Sequence, residues 1–372
     1  MTEIVKSMVK DKNRRSKLVT RIYTALTQRI EAGEWGYGAM LPGENELCEV
    51  YSVSRGTLRK VLDIFEKESI LRREQGRGTF IARAGINKQT GLIQHASISF
   101  IVPYVRDSFL PSILLGLESL ARANGYAVWF NHVENDLDKQ DQAIRTVIQQ
   151  GVSGIVLYPV NSTEATPALF ELVQQNYPLV LVDRYIRGFN TDYVTSDNMG
   201  GGLRATQHLL GLGHRRIVFL SWKEMATSME HRRAGYRQAL KEAGIRLDSE
   251  LEWEVAGYPE VDQTALVELL QRPNRPSAIF AANDQLALAI ERAARELKLI
   301  IPDDISLVGF DNLDISANVD VPLTTVAQSA FEIGRTAGEM IIARIARVTT
   351  SIQRRILPVQ LVIRRSCGAY QL

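Results

Sequence analysis

Apolar residues recur every fourth position at Leu18, Ile22, Leu26 and Ile30, which predicts a helix over 16–33 with one buried stripe, stopped by Gly33. The Gly-rich stretch EWGYGAM follows, and Pro42 limits where the next helix can begin. That helix is expected from about Glu44 to Tyr51, burying Leu47 and Val50 or Tyr51, with a turn at Ser52 and Val53. A third helix starts at the cap residue Ser54 and shows an apolar face of Leu58, Val61, Leu62 and Phe65. Two short strands at 70–74 and 79–82 flank Gln75-Gly76-Arg77-Gly78, the pattern of a tight hairpin with a positive-φ glycine expected at Gly76. Residues 83–95 carry neither period and are expected to form a linker.

From Ala96 onward the pattern alternates between apolar strands and helices. Strands are expected at 98–103, YAVWFNH, 154–159, 178–183, 278–283 and 305–310; helices are expected at 112–124, 138–150 and near 165–176. Alternation of this kind predicts a parallel sheet with helices on both faces. The stretch is too long for one sheet, so two lobes are expected. The division is then 1–82, a helix-turn-helix with a wing; 83–95, a linker; and 96–372, a two-lobed α/β domain.

Composition and charge narrow the possibilities. Of 372 residues, 45% are hydrophobic and 23% charged, ordinary for a chain with a real core. The net charge of +2 conceals an asymmetry: residues 1–83 hold 16 Lys/Arg against 11 Asp/Glu, the remainder 28 against 31. A basic module on an acidic body suits a polyanionic partner. The two cysteines, Cys48 and Cys367, lie far apart, so neither a metal site nor a disulfide framework is expected. There is no secretory h-region and no apolar run of about 18 residues, so a cytoplasmic protein is expected, with no membrane partner.

The chemistry of the small module points to DNA. Arg55, Arg59 and Lys60 fall opposite the apolar face of the third helix, beside Thr57. A helix of this kind fits a major groove, where Arg pairs with guanine O6 and N7. Small Ser54 and Thr57 let the backbone approach phosphates. Glu44 is placed either to accept from cytosine N4 or to orient an arginine. At the hairpin tip Gln75, Gly76 and Arg77 suit the minor groove. A solvated charged face explains the third helix alone as well; the ordered set of elements favours DNA.

That set resembles the winged helix of the GntR family of bacterial transcription regulators. The residues carrying the likeness are Leu41-Pro42-Gly43-Glu44, Glu46-Leu47, Val53-Ser54-Arg55, Thr57-Leu58-Arg59 and Gln75-Gly76-Arg77-Gly78-Thr79-Phe80. Gly43 stands where the family pattern has Ser, which weakens the expected cap of the second helix, and Leu58 replaces Val. The resemblance implies that Arg55 and Arg59 read bases, Ser54 and Thr57 hold phosphates, and Gln75 and Gly76 form the wing tip.

In doubly wound sheets ligands sit beyond the carboxyl ends of the strands. The polar residues there are Tyr104, Asn161, Asp183, Arg184, Asn283, Asp284, Asp311 and Asn312; Arg232 lies near an expected helix start in HRRAGYRQAL, and Tyr258 is a further aromatic. Amides, carboxylates and Arg hydrogen-bond vicinal hydroxyls, and Tyr104 and Tyr258 suit stacking on a sugar ring. Asp and Asn at strand ends also cap helices, and for Asp183, Asp197 and Asp284 capping or hinge roles compete equally with ligand contact. The large domain resembles the effector domain of the LacI family. The matching series includes Val182-Asp183-Arg184, Val194-Thr195-Ser196-Asp197-Asn198, Gly213-His214-Arg215-Arg216-Ile217, Arg232 with Gly235-Tyr236, Asn283-Asp284, Val308-Gly309-Phe310-Asp311, and Pro358 through Arg364. This implies effector contacts at Arg232, Asn283 and Asp311, with Tyr104, Asn161 and Tyr258 completing the expected site; an amide at Asn161, where sugar binders commonly carry an acid, leaves the ligand open.

Together the two resemblances imply a repressor that holds double-stranded operator DNA and is released by a small carbohydrate, L-arabinose or another sugar, bound between the lobes. No leucine heptad follows Ile363, so a homodimer is expected rather than a larger assembly. Neither a cofactor nor a catalytic residue is expected. The competing readings are a pyridoxal-phosphate enzyme, against which none of Lys88, Lys139, Lys223, Lys241 and Lys298 follows a strand in a Ser/Thr/Gly-rich loop; a solute-binding protein; and a regulator whose ligand is a corepressor. His132, His208, His214 and His231 are expected to be structural.

Overall fold

The computed structural model describes residues 18–30, 34–35, 39–67, 70–74, 77–81, 96–105, 108–160, 164–223, 226–256, 261–348 and 351–369. By its contacts the chain falls into two compact units: Met1–Ser97 with Arg122–Ala127 and Ile342–Thr349, and the remainder.

The first unit opens with helix α1 (18–30), followed by α2 (Glu44–Tyr51), α3 (Arg55–Lys67) and the antiparallel strands β1 (Leu71–Glu74) and β2 (Gly78–Ile81). Ile22, Leu26 and Ile30 of α1 share one core with Leu47 of α2 and Leu58, Val61, Leu62 and Phe65 of α3, as their spacing predicts. Helix α2 resolves the choice left between Val50 and Tyr51. Leu47 is buried and Tyr51, one turn on, packs partly beneath it, whereas Val50 faces solvent. Gly43 sits at its N-terminus without a side-chain cap, as expected from the missing hydroxyl. Ser52 takes a left-handed conformation (φ 50°) that ends α2, and the Ser54 hydroxyl accepts from the Thr57 N–H at 3.4 Å to begin α3. The second wing strand starts one residue early, at Gly78, whose φ of 130° favours glycine. Ala39 and Leu41 extend the wing: Leu41 N donates to Thr79 O at 2.8 Å and Ile81 N to Ala39 O at 2.9 Å. The loop ahead of α2 is thereby tied to the wing, a pairing its Gly-rich sequence does not reveal.

The second unit contains two six-stranded sheets. In chain order the first lobe provides β3 (Ser97–Val102), α4 (Phe109–Ala123), β4 (Ala127–His132), α5 (Leu137–Gln149), β5 (Gly154–Leu157), α6 (Pro167–Gln174), β6 (Leu179–Val182) and β7 (Asp192–Ser196). The other provides α7 (Asn198–Gly211), β8 (Ile217–Trp222), α8 (Thr227–Glu242), β9 (Glu252–Val255), α9 (Gln263–Gln271), β10 (Ala278–Ala281), α10 (Asp284–Glu296), β11 (Ser306–Asp311) and β12 (Thr324–Ala327). The chain then returns through α11 (Ala330–Ile345) to β13 (Arg354–Leu357) and ends on β14 (Gln360–Val362). The sheet orders are β13-β7-β6-β5-β3-β4 and β14-β12-β11-β10-β8-β9. Pairing is parallel except at β12–β14. The chain therefore crosses between lobes three times, after Ser196, after Ala327 and after Leu357.

Helix α4 begins at Phe109, three residues before its expected start. Pro111 occupies the first turn, where its missing N–H has no intrahelical partner to lose. Helices α7 and α8 lie unusually close: a Cβ on Gly202 would come within 2.2 Å of Arg232 O, and one on Gly235 within 2.1 Å of Met199 O. This close approach fixes the height of Arg232, which sits in the second turn of α8 and not at its start as expected from the sequence.

Candidate functional site

The exposed face of α3 carries Arg55, Arg59 and Lys60, with half-buried Thr57 beside them, while the opposite face is buried in the core. Arg59 Nε donates to Glu44 Oε2 at 2.9 Å, so of its two expected roles Glu44 fills the orienting one in the free protein. Ser54 Oγ lies 3.0 Å from Thr57 Oγ1 at the helix N-terminus. On the wing Arg77 reaches Glu74 at 2.8 Å. Gln75 and Gly76, the expected wing tip, lie outside the described residues. Among these cations Arg59 and Arg77 are held by short acidic tethers yet remain open to solvent.

The second cluster lies at the carboxyl ends of both sheets. In the first lobe Tyr104 follows β3, Tyr158 follows β5 and Asp183-Arg184 follow β6. Arg184 is buried. Its Nη2 donates to Tyr104 Oη at 3.0 Å and Tyr158 Oη at 3.1 Å, its Nε lies 3.5 Å from Asp183 Oδ2, and its guanidinium stacks 4.7 Å over the Tyr158 ring. Burial opposes its charge, but the two phenols and Asp183 outweigh burial and hold its pKa above the ordinary value. Burial, then the Asp183 charge, pushes the Tyr158 phenol upward, so its hydroxyl stays protonated. Asp183 caps no described helix; it adopts φ 65°, and its N–H donates to Val194 O.

In the other lobe Arg232 is 3% exposed. Its Nε donates to Asn198 Oδ1 at 2.8 Å, its Nη1 to Ala282 O at 2.6 Å and Asp311 Oδ1 at 3.3 Å, and its guanidinium lies 3.7 Å above the Phe310 ring. Asp311 also accepts from Gln328 Nε2 at 2.7 Å. The other amide atom, Gln328 Oε1, is buried and has no partner among the described residues. Asn283 caps α10, its Oδ1 accepting from Leu286 N at 3.0 Å, and Asp197 caps α7 through Gly200 N. Asn161 and Tyr258 lie outside the described residues. Of the six expected ligand residues, the structure thus brings Arg232 and Asp311 into direct contact, places Asn283 one residue beyond Ala282, and sets Tyr104 in the other lobe's cluster.

The lobes also touch through side chains. Tyr185 N donates to Thr227 Oγ1 at 3.1 Å, the same hydroxyl donates to Tyr185 O at 2.9 Å, and Tyr185 Oη lies 3.2 Å from His231 Nε2. Arg187 pairs with Glu230 beside them, and Asp314 N donates to Ser108 Oγ at 3.2 Å. Three histidines of this unit have structural contacts: His208 with Cys367 Sγ, His214 with Ser277 Oγ, His231 with Tyr185; burial lowers the pKa of all three. Among the described residues no group of three or more His, Cys, Asp or Glu could hold a metal ion, and no helix is long and apolar enough to cross a membrane.

Comparison with known proteins agrees with both domain types. Residues 18–81 match bacterial regulatory proteins of the gntR family, and residues 206–367 match a periplasmic binding protein-like domain. The arabinose metabolism transcriptional repressor of Halalkalibacterium halodurans is 32% identical over 321 residues, covering 82% of this chain and 84% of that one. The chain belongs to this repressor family, which joins a gntR-type winged helix to a LacI-type sensor. The ribose operon repressor of Escherichia coli is 28% identical, covering 83% of this chain and 94% of its own. Among solved structures, a LacI family transcriptional regulator from Enterococcus faecium with bound ribose shares 26% identity and a TM-score of 0.64, covering 73% of this chain and 98% of that chain. Gln328 and Tyr158 join these two clusters without being singled out by the sequence reading. Both follow strands, in TTVAQ and GIVLY, so a strict reading of every strand end would have found them.

Proposed function

We propose that this chain represses transcription by holding operator DNA with α3 and the wing, and that it lets go when a small sugar fills the cleft, with L-arabinose the first candidate. The observation that carries the reading is the Arg232–Asp311–Gln328 cluster. It offers a guanidinium, a carboxylate and a buried amide oxygen, Gln328 Oε1, that lacks a donor. A buried acceptor without a partner is costly, and a ligand hydroxyl is a fitting donor. The named ligands of the relatives support a sugar. Each buried arginine already has a carboxylate, Asp183 or Asp311, which favours a neutral polyol over an anion.

We also propose a homodimer working in the cytoplasm. Leu115 on α4, and Trp129 and Phe130 on the edge strand β4, are exposed apolar residues of a kind that subunit contacts cover. A non-enzymatic role is favoured over pyridoxal-phosphate chemistry because Lys139, Lys223, Lys241 and Lys298 are all exposed, whereas a Schiff-base lysine needs a desolvated pocket; Lys88 lies outside the described residues.

Thermal-shift screening against mono- and disaccharides tests the ligand reading, since a ligand at 100 times its Kd stabilises by about 2.7 kcal/mol. Gel-shift titration with the best sugar then fixes the sign. Release supports an inducer, tighter binding makes the sugar a corepressor, and a panel in which no sugar stabilises the protein removes the reading. Sedimentation velocity decides the dimer.

A further inference from the structure

Asp311 and Asn312 are consecutive non-glycine residues with φ of 117° and 56°. Such backbone is strained for L-residues and persists only where its surroundings hold it. Two side chains, distant from each other in sequence, hold this turn. Asp284 is fully buried; its Oδ2 accepts from Leu313 N at 2.9 Å and Ser316 Oγ at 2.6 Å, and its Oδ1 from Thr325 Oγ1 at 2.6 Å. Thr325 Oγ1 in turn accepts from Asn312 N at 3.3 Å. From the last strand segment Arg364 Nη2 donates to Asn312 Oδ1 at 2.7 Å, while its Nη1 donates to Leu323 O at 2.7 Å and its backbone N to Thr324 Oγ1 at 2.9 Å. The residue before the clamped pair Asn312–Leu313 is Asp311, whose carboxylate meets Arg232 and Gln328.

We infer that Asp284 and Arg364 are positioning residues for the ligand: they pin the left-handed turn at Asp311–Asn312 so that the Asp311 carboxylate is fixed in the cleft before any ligand arrives. This rests on the cleft being the ligand site. The carboxylate and the guanidinium act on Asn312 and Leu313, and through them on Asp311, which makes the contact. A planar fork suits Arg364, because one guanidinium spans the Asn312 side chain and the Leu323 carbonyl at once. A carboxylate suits Asp284, because it alone among side chains of that size accepts three donors without offering one.

The test uses the full chain as wild type, Asp284→Asn, Thr325→Val, Arg364→Ala and Arg364→Lys. Hydrogen exchange followed by mass spectrometry reads the clamp without any ligand. In Asp284→Asn and Arg364→Ala the amides of residues 311–316 are expected to exchange at least about ten-fold faster, with β8 and β10 keeping wild-type protection. Arg364→Lys, which keeps the charge but not the fork, recovers part of the loss. Calorimetry with arabinose and with ribose then reads the consequence: sugar affinity falls about ten-fold or more, with operator affinity in the absence of sugar unchanged. Unaltered exchange at 311–316, or equal loosening throughout the lobe, overturns the inference, as does unaltered sugar affinity in a variant whose turn has loosened. Should Asp284→Asn fail to fold, Thr325→Val and Arg364→Ala carry the same test. Should wild type bind neither sugar, the exchange result still decides the clamp, and only the ligand reading falls.

Discussion

Arg232 is the residue on which the sugar reading turns, and its surroundings decide which substitution is informative. We predict that Arg232→Lys retains operator binding but needs a roughly 10- to 100-fold higher sugar concentration for release. Arg232→Ala is the cruder perturbation. It would strip Asp311, 13% exposed in its side chain, of its cation and leave the acceptors Asn198 Oδ1 and Ala282 O without their donors. Removing one member of a buried pair costs about 3–5 kcal/mol. That is a large part of the roughly 5–15 kcal/mol that stabilises a domain, so lost binding and lost folding would be confounded. Lysine keeps the charge beside Asp311 but cannot span Asn198, Ala282 and Asp311 from one plane or stack on Phe310. A hydrogen bond to a charged group contributes about 1.5–3 kcal/mol, and each 1.4 kcal/mol is about ten-fold in affinity. Operator titration by gel shift, with and without sugar, measures release; circular dichroism melts check that the variant is folded. Wild-type sugar affinity in a folded Arg232→Lys protein would refute the reasoning, because the fork would then have no part in binding.

Four further outcomes are expected. Gly43→Ser should stabilise the winged helix by roughly a few tenths of a kcal/mol, because its φ of −56° suits serine, the position is open, and Glu46 stands ready to complete a capping box; an unchanged or lowered denaturation midpoint counts against it. Arg59→Ala should lose about 1–3 kcal/mol of operator discrimination, and Glu44→Ala should cost operator affinity in the wild-type background but not in Arg59→Ala; additive losses in that cycle would mean that Glu44 does not work by aiming Arg59. Gly78→Val should weaken operator binding while the chain stays folded, since its φ of 130° is strained for valine and the new Cβ would lie 2.9 Å from Met40 Sδ; normal binding would exclude the wing's base from the DNA contact. Burial pushes Asp284 up to about 6 from an ordinary 3.8, against the hydrogen bonds from Ser316, Thr325 and Leu313. The folded chain thus binds this proton more tightly than the unfolded one, so its stabilisation is complete below about pH 4 and is lost as pH rises toward 6. The melting advantage of wild type over Asp284→Asn should shrink across that window, and a flat or growing difference would contradict it.

The small module was legible because its information is local. The apolar spacing of α3 sets which face is buried, so Arg55, Arg59 and Lys60 could only be on the other. Position within the hairpin was less legible: the positive-φ glycine observed is Gly78, while the expected Gly76 lies outside the described residues. In the large domain the strand–helix alternation fixed the fold class, but not the sheet order or the three crossings, which depend on pairings far apart in sequence. The sequence places Arg232 near a helix start in HRRAGYRQAL; α8 begins earlier, at Thr227, and its first turn is tied to the other lobe through Thr227 and Tyr185.

The hardest distinction lay between capping and ligand contact, because both tasks use a short polar side chain at the end of a strand. Neighbouring Asn283 and Asp284 separate only in the structure. Asn283 spends its carbonyl oxygen on Leu286 N, while Asp284 turns inward to the loop after β11. The same geometry suggests how a ligand signal would travel. Arg232 links the end of β10, Asp311 and Asn198, the first residue of α7 just past one crossing between lobes; Gln328 lies at another crossing and holds the same Asp311. A hydroxyl that satisfies Gln328 Oε1 therefore acts beside a segment that connects the lobes. Such a ligand shifts the protein only by its difference in affinity between two lobe arrangements. The contacts of Tyr185 with Thr227 and His231, and of Arg187 with Glu230, join the two lobes in this structure. If sugar releases operator DNA, operator DNA must weaken sugar binding by the same factor by which sugar weakens operator binding.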